Sequence, residues 1–171
     1  MLQHVLESAL RQTMNRLVRP VLNPAVPVPL QRRIVRQAYR SSTPPRGAKF
    51  ENITIGGVPA TRTTFGNDPR GAVLYLHGGG YIIGSSSTHR GITGHLAKTT
   101  GCAIVTPDYR LAPEFPFPAA LDDAEACWNG LLEAGLKPDQ IAVAGDSAGG
   151  GLSVALAMRL RDKRLQLPAS L

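Results

Sequence analysis

The sequence predicts an α/β fold in which a mostly parallel sheet is covered by helices on both faces, and three observations carry that reading. The runs AVLYLH (72–77), CAIVTPD (102–108) and IAVAG (141–145) are apolar throughout, without the alternation of a half-exposed strand. Stretches of helical length, 88–100 and 118–134, separate them, and the third run leads into another helix reaching about residue 163. Both glycine-rich stretches stand immediately after such runs. Strands apolar on both faces need cover on both faces, and strands joined through single helices pair in parallel by right-handed crossovers. Open sheets of this kind place ligand sites at the carboxyl ends of their strands.

The remaining elements follow in order. Leu2, Val5, Leu6, Ala9, Leu10, Met14, Leu17 and Val18 recur at the 3.6-residue period, so 2–18 reads as an amphipathic helix that ends at Pro20. The Pro-rich link PVLNPAVPVP leads to a second short helix over about 30–40, and STPPRG forms a loop. Residues 50–65 alternate around Gly56-Gly57, the signature of a hairpin, and GNDPRG makes the next turn. The boundary implied is a helical segment over 1–46 followed by the first part of the sheet domain over 47–171.

At 171 residues, 43% hydrophobic and 18% charged, the chain has the balance of one globular domain with a core. No apolar run approaches a membrane span, and the start lacks the apolar centre of a signal peptide, so a soluble, cytoplasmic protein is expected. The net charge of +7 is concentrated. Arg11, Arg16, Arg19, Arg32, Arg33, Arg36, Arg40 and Arg46 face a single acid, Glu7, in the first 46 residues, and the remainder is neutral. Such a segment reads first as a solvated helix face or a cap over the domain, and second as a surface for an anionic partner or membrane. Cys102 and Cys127 lie in apolar runs and read as buried core residues. The four histidines do not have the spacing of a metal site, and no phosphate-binding glycine motif is present, so neither a metal, a nucleotide nor nucleic acid is expected.

Two motifs carry chemistry. Gly145-Asp146-Ser147-Ala148-Gly149 matches G-x-S-x-G between an apolar strand and a helix. A serine on so sharp a turn needs small neighbours, and its hydroxyl projects at a helix N-terminus, where backbone N–H groups stabilise a developing oxyanion. His77-Gly78-Gly79-Gly80 follows the first apolar strand, and its glycines allow the backbone to turn N–H groups toward a ligand. In acyl transfer those donors combine with the N–H of the residue after the nucleophile, Ala148. Asp146 is aimed away from a triad position and reads as a brace of the elbow. Asp108, Tyr109, Arg110 and Glu114 read as loop-fixing ion pairs and hydrogen bonds.

With HGGGY at 77–81, DYRLAPEFPFPAALDD at 108–123 and GDSAGG at 145–150, the chain resembles the hormone-sensitive-lipase-like (family IV) esterases of the α/β-hydrolase superfamily from about residue 50 onward. The resemblance implies an α/β-hydrolase fold with an N-terminal helical cap. It implies Ser147 as nucleophile and Gly79, Gly80 and Ala148 as oxyanion donors. His77, Gly78 and Asp146 would support the two motifs. Short- to medium-chain acyl esters would be the substrates, and no cofactor would be required.

In this fold the triad order is serine, acid, histidine, and only Asp162 and no histidine follow Ser147. Asp162 lies some four turns along the next helix and reads as a surface charge. The sequence therefore reads as a fragment lacking the C-terminal strands, with the missing acid and histidine on a complementing chain or segment. It leaves a homo-oligomer open. Two other classes stay in play: a scaffold that binds a small molecule without catalysis, and a basic interaction module. The last predicts salt-dependent binding to polyanions that disappears when residues 1–46 are removed, measured by retention on heparin across a salt gradient.

Overall fold

The computed structural model describes Glu7, Arg11, Gln12, Asn15, Arg16 and residues 19–39 and 42–171. The helix expected over 2–18 falls largely outside the described residues. The second expected helix is α1, Val28–Ala38, opened by the Pro-rich link that precedes it. Gln31 is buried beneath that link and donates through Nε2 to the carbonyls of Val26 (2.9 Å) and Asn23 (3.2 Å).

The hairpin is β1, Ala48–Ile55, with β2, Val58–Phe65. Gly56 and Gly57 turn it at φ 56° and 79°, the two positive values that a tight hairpin turn needs to match strand twist. The three apolar runs are β3 (Ala72–Leu76), β4 (Ala103–Pro107) and β5 (Ile141–Gly145). The helices between and after them are α2 (Arg90–Thr100), α3 (Ala119–Glu133) and α4 (Ala148–Asp162). A 3₁₀ turn, Ser86–His89, precedes α2 and takes the first residues assigned to that helix.

The sheet runs β1-β2-β4-β3-β5. β4, β3 and β5 form the expected parallel part, while the hairpin joins it through an antiparallel β2–β4 pairing, so the sheet is mixed. Burial on both faces explains the unbroken apolar strands. Val73, Tyr75 and Ile104 point to the α2 side and pack with Ala97. Leu74, Leu76 and Val105 point to the opposite side, against Leu121 and Trp128 of α3 and Leu152 and Leu156 of α4. Beyond β5, the Ala169 N–H donates to Ile141 O (2.9 Å) and the Val143 N–H to Ser170 O (3.0 Å). LPASL thus begins to run parallel to β5, where a further strand was expected.

One packing assignment is corrected. Cys127 is buried, but Cys102 is only half-buried, because it sits in the turn between the end of α2 and the first residue of β4. The hairpin turn is seated on α3 by the absence of a side chain at Gly130, where a Cβ would collide with the backbone of Gly56. A glycine-to-alanine change inside a helix ordinarily stabilises by about 0.5–1 kcal/mol. For Gly130→Ala we expect the reverse sign, a loss of about 1–3 kcal/mol from forced displacement of the turn, read as a lowered urea midpoint at unchanged m-value.

Candidate active site

β5 ends at Gly145 and α4 begins at Ala148, so Asp146 and Ser147 make the whole connection. Ser147 takes φ 50°, ψ −119°, a conformation that costs a non-glycine residue about 1–3 kcal/mol and persists only when its surroundings enforce it. The enforcement is close packing. A Cβ on Gly149 would run into Leu76 O and His77 O at the end of β3, so the first turn of α4 sits directly on the neighbouring strand. Ser147 itself is exposed, and Ala148 follows as the first residue of the helix, where a backbone N–H has no partner within the helix.

The carboxylate of Asp146 ties this turn to the glycine loop. Its Oδ1 accepts from the Gly78 N–H (2.9 Å) and the Tyr75 hydroxyl (2.9 Å), and His89 Nε2 lies 3.3 Å away. Burial opposes ionisation of Asp146, but the Tyr75 hydrogen bond, the His89 ring and the Gly78 amide outweigh it and hold the carboxyl below its ordinary value. Tyr75 is raised, first by burial and then by that carboxylate, and stays a neutral donor.

Gly79 and Gly80 follow at φ 129° and 62°. Gly79 O accepts from the N–H groups of Ile82 (3.1 Å) and Ile83 (3.0 Å), which curls the loop back on itself. Tyr81 is held at φ 62°, and its carbonyl accepts from the Ala112 N–H at 2.8 Å. The loop over 77–83 is therefore fastened at one end to the elbow and at the other to the segment after β4.

His77 lies beneath this loop, 1% exposed, with Tyr109 stacked on it at 4.2 Å between ring centroids and His89 at 5.4 Å. Its Nδ1 faces Gly78 O at 2.9 Å, so that nitrogen carries the proton; Nε2 meets no protein partner among the described residues. Tyr109 donates to His77 O at 2.5 Å. The cluster after β4 splits into separate ties. Asp108 accepts from the Ser86 N–H (2.6 Å) and hydroxyl (3.0 Å), Arg110 forks onto Asp123, and Glu114 pairs with Arg32 of α1.

Between the glycine loop and the 110–118 segment opens an apolar cleft of about 420 Å³, lined in part by Gly80, Tyr81, Ile82, Phe115 and Leu152. The structure thus brings His77, Gly78, Gly79, Gly80, Asp146, Ser147 and Ala148 to one end of the sheet. Asp162 lies at the far end of α4, paired with Arg161. Sequence reasoning missed Tyr75, Ser86, His89 and Arg32. Only Tyr75 and His89 carried a signal, as polar-tipped residues flanking a motif. Among the described residues no group of three or more His, Cys, Asp or Glu side chains is placed to hold a metal, and no helix is long and apolar enough to cross a membrane.

The profile of the α/β hydrolase fold matches residues 73–171, more than half of the chain and the whole of this site. The chain belongs to that family. Solved structures of hormone-sensitive-lipase-family esterases are among those it resembles. A crystal structure of an esterase from the bacterial hormone-sensitive lipase family superposes with a TM-score of 0.84 at 38% identity, covering 95% of this chain and 56% of that one. An acetyl-hydrolase of Streptomyces hygroscopicus is 42% identical over 118 residues, 69% of this chain and 40% of the relative. An ethyl acetate hydrolase of Pseudomonas putida is 43% identical over 97 residues, 54% of this chain and 30% of the relative. The chain spans about half the length, or less, of the α/β hydrolases it matches.

His77 generates a pH dependence. Burial, its largest influence, disfavours the imidazolium and His89 adds to this, so its pKa is lowered to about 4 although Gly78 O works in the other direction. The unfolded chain takes up the proton near the ordinary value of about 6.5. The stability held by neutral His77 is complete above that value and is lost as pH falls toward 4, by on the order of 3 kcal/mol. We expect His77→Asn, which keeps a donor for Gly78 O, to flatten the decline in urea midpoint between pH 7 and 4.5; parallel declines in the two proteins would contradict it.

Proposed function

We propose that this chain carries the nucleophile and oxyanion half of a serine carboxylesterase acting on short- to medium-chain acyl esters. The observation that carries the proposal is the conformation of Ser147: a non-glycine residue strained at the head of α4, exposed, with the glycine loop fastened beside it through Asp146 and Gly78. Strain of this kind is maintained where a side chain must be presented. The acetyl-hydrolase and ethyl acetate hydrolase relatives support an ester substrate with a small acyl group.

In this reading Ser147 Oγ attacks the ester carbonyl, and the N–H groups of Gly79, Gly80 and Ala148 hold the tetrahedral oxyanion. The alcohol leaves, and water then releases the acyl-enzyme. The apolar cleft beside Gly80 takes the hydrocarbon part of the ester. Residues 1–46 act as a helical cap and 47–171 as the first part of the catalytic domain. The acid and histidine that activate Ser147 come from a further segment or chain, seated beyond β5 where Val154, Met158, Leu167 and Leu171 are exposed. His77 does not substitute for that base, because it is buried under the loop with Nδ1 engaged by Gly78 O.

Without a general base the serine hydroxyl stays protonated. We expect the 171-residue chain to hydrolyse p-nitrophenyl butyrate on the order of 10⁶-fold more slowly than the complemented protein. In the complemented protein, Ser147→Ala should abolish both turnover and fluorophosphonate labelling. Robust hydrolysis by the isolated chain, lost in Ser147→Ala, would overturn the division of labour. Small-molecule binding without labelling of Ser147 in the complemented protein would favour a receptor.

A further inference from the structure

Among the described N-terminal arginines, Arg32 is engaged by three separate groups of the sheet domain. Its Nε donates to Ile82 O at 2.8 Å, its Nη2 to Ala112 O at 2.9 Å, and its two terminal nitrogens fork onto the Glu114 carboxylate at 2.9 and 2.7 Å. Four of the five guanidinium N–H groups are used. Exposed ion pairs contribute little on their own. The Arg32 side chain, however, is 24% exposed, its carboxylate contact is bidentate, and two of its acceptors are backbone carbonyls.

The identity of those acceptors matters. Ile82 closes the glycine loop through its own N–H to Gly79 O, and Ala112 holds Tyr81 at its positive φ through an N–H to Tyr81 O. Arg32 therefore grips the carbonyls of two residues whose amides help shape the loop. The apolar cleft opens between the same two segments, and Ile82 and Ala112, whose carbonyls Arg32 holds, are both part of its lining. The tip of the same segment adds a second contact, Tyr39, whose ring stacks on His89 at 5.7 Å, directly behind the Asp146 carboxylate.

We propose that Arg32 is a positioning residue that makes docking of α1 and ordering of the oxyanion loop a single equilibrium, so that the cleft for the ester's hydrocarbon part exists only while the helix is seated. This rests on the reading of Gly79 and Gly80 as oxyanion donors. It goes beyond that reading in giving the N-terminal segment a part in arranging them. By reciprocity, a short aliphatic ligand that fills the cleft tightens the seat of α1. Glu114 is held below its ordinary pKa, chiefly by its hydrogen bonds from Arg32, so the pair weakens only on strong acidification.

The test is residue-resolved amide hydrogen exchange by NMR on the 171-residue chain, comparing wild type with Arg32→Ala, Arg32→Lys and Glu114→Gln. In Arg32→Ala the amides of Ile82, Ile83 and Ala112 should exchange at least about tenfold faster, together with those of α1, as expected when charge-assisted hydrogen bonds leave a local opening equilibrium. Amides of β3 and β5 should keep their protection, which excludes general unfolding. Arg32→Lys should behave like Arg32→Ala, since an ammonium keeps the charge but cannot reach two carbonyls and fork onto a carboxylate at once. Glu114→Gln should give a smaller change of the same pattern. Faster exchange in α1 with Ile82, Ile83 and Ala112 unchanged would overturn the coupling and leave Arg32 a simple tether. Full protection in Arg32→Lys would overturn the geometric argument. The readout does not depend on reactivity at Ser147, so failure of the complemented protein to label with fluorophosphonate would count against the esterase reading alone.

Discussion

The carboxylate of Asp146 is the joint on which the site depends. Two features of this chain are expensive in isolation: a serine at positive φ and a glycine loop that surrenders much conformational freedom when ordered. Neither would hold its shape as a free peptide. Asp146 accepts from the loop at Gly78 and from the sheet at Tyr75, while His89 approaches from the turn before α2. One ionised group thus accepts from two parts of the chain and lies against a third, which fixes the elbow, the loop and the sheet relative to one another. Charge-assisted hydrogen bonds are the stronger kind, and a half-buried carboxylate gains more from them than an exposed one.

The joint works because the backbones beneath it are already close. Leu76 at the end of β3 and His77 just after it set their carbonyls against the first turn of α4, an approach that a side chain on Gly149 would prevent. Below them, both faces of the parallel strands are buried, with Leu74, Leu76 and Ile104 completely excluded from solvent. A core of that kind deforms little, so the strained turn sits on a rigid base while its serine remains at the surface. His77 continues the same logic: neutral, stacked on Tyr109, it fills the space under the glycine loop without bringing a charge into it.

The N-terminal segment reads differently in the light of the fold. As a composition it is a basic stretch, and its charge suggests a solvated face. In the structure one of those arginines is withdrawn from solvent to join α1 to the two loops that flank the cleft, and Tyr39 reaches the ring behind Asp146. Net charge describes such a segment poorly, because the geometry of one guanidinium decides more than the sum over eight.

The strands and the hairpin were legible in the sequence, since apolar runs, periodicity and paired glycines report short-range requirements that a local segment must meet by itself. The neighbourhood of Ser147 was legible for the same reason: small residues between a strand and a helix define a turn before any tertiary contact forms. The mixed character of the sheet was not, because the antiparallel pairing of β2 with β4 depends on strand order rather than on either strand. Nor were the partners of the polar side chains. Tyr75 meets Asp146 across 71 positions and Arg32 meets Glu114 across 82, and no periodicity spans such distances. Sequence alone thus determined where an exposed serine would stand on a tight strand-to-helix turn and on what kind of sheet. Only the packing of strands and helices decided which charges hold it there, because a hydrogen bond depends on where the fold brings two groups together.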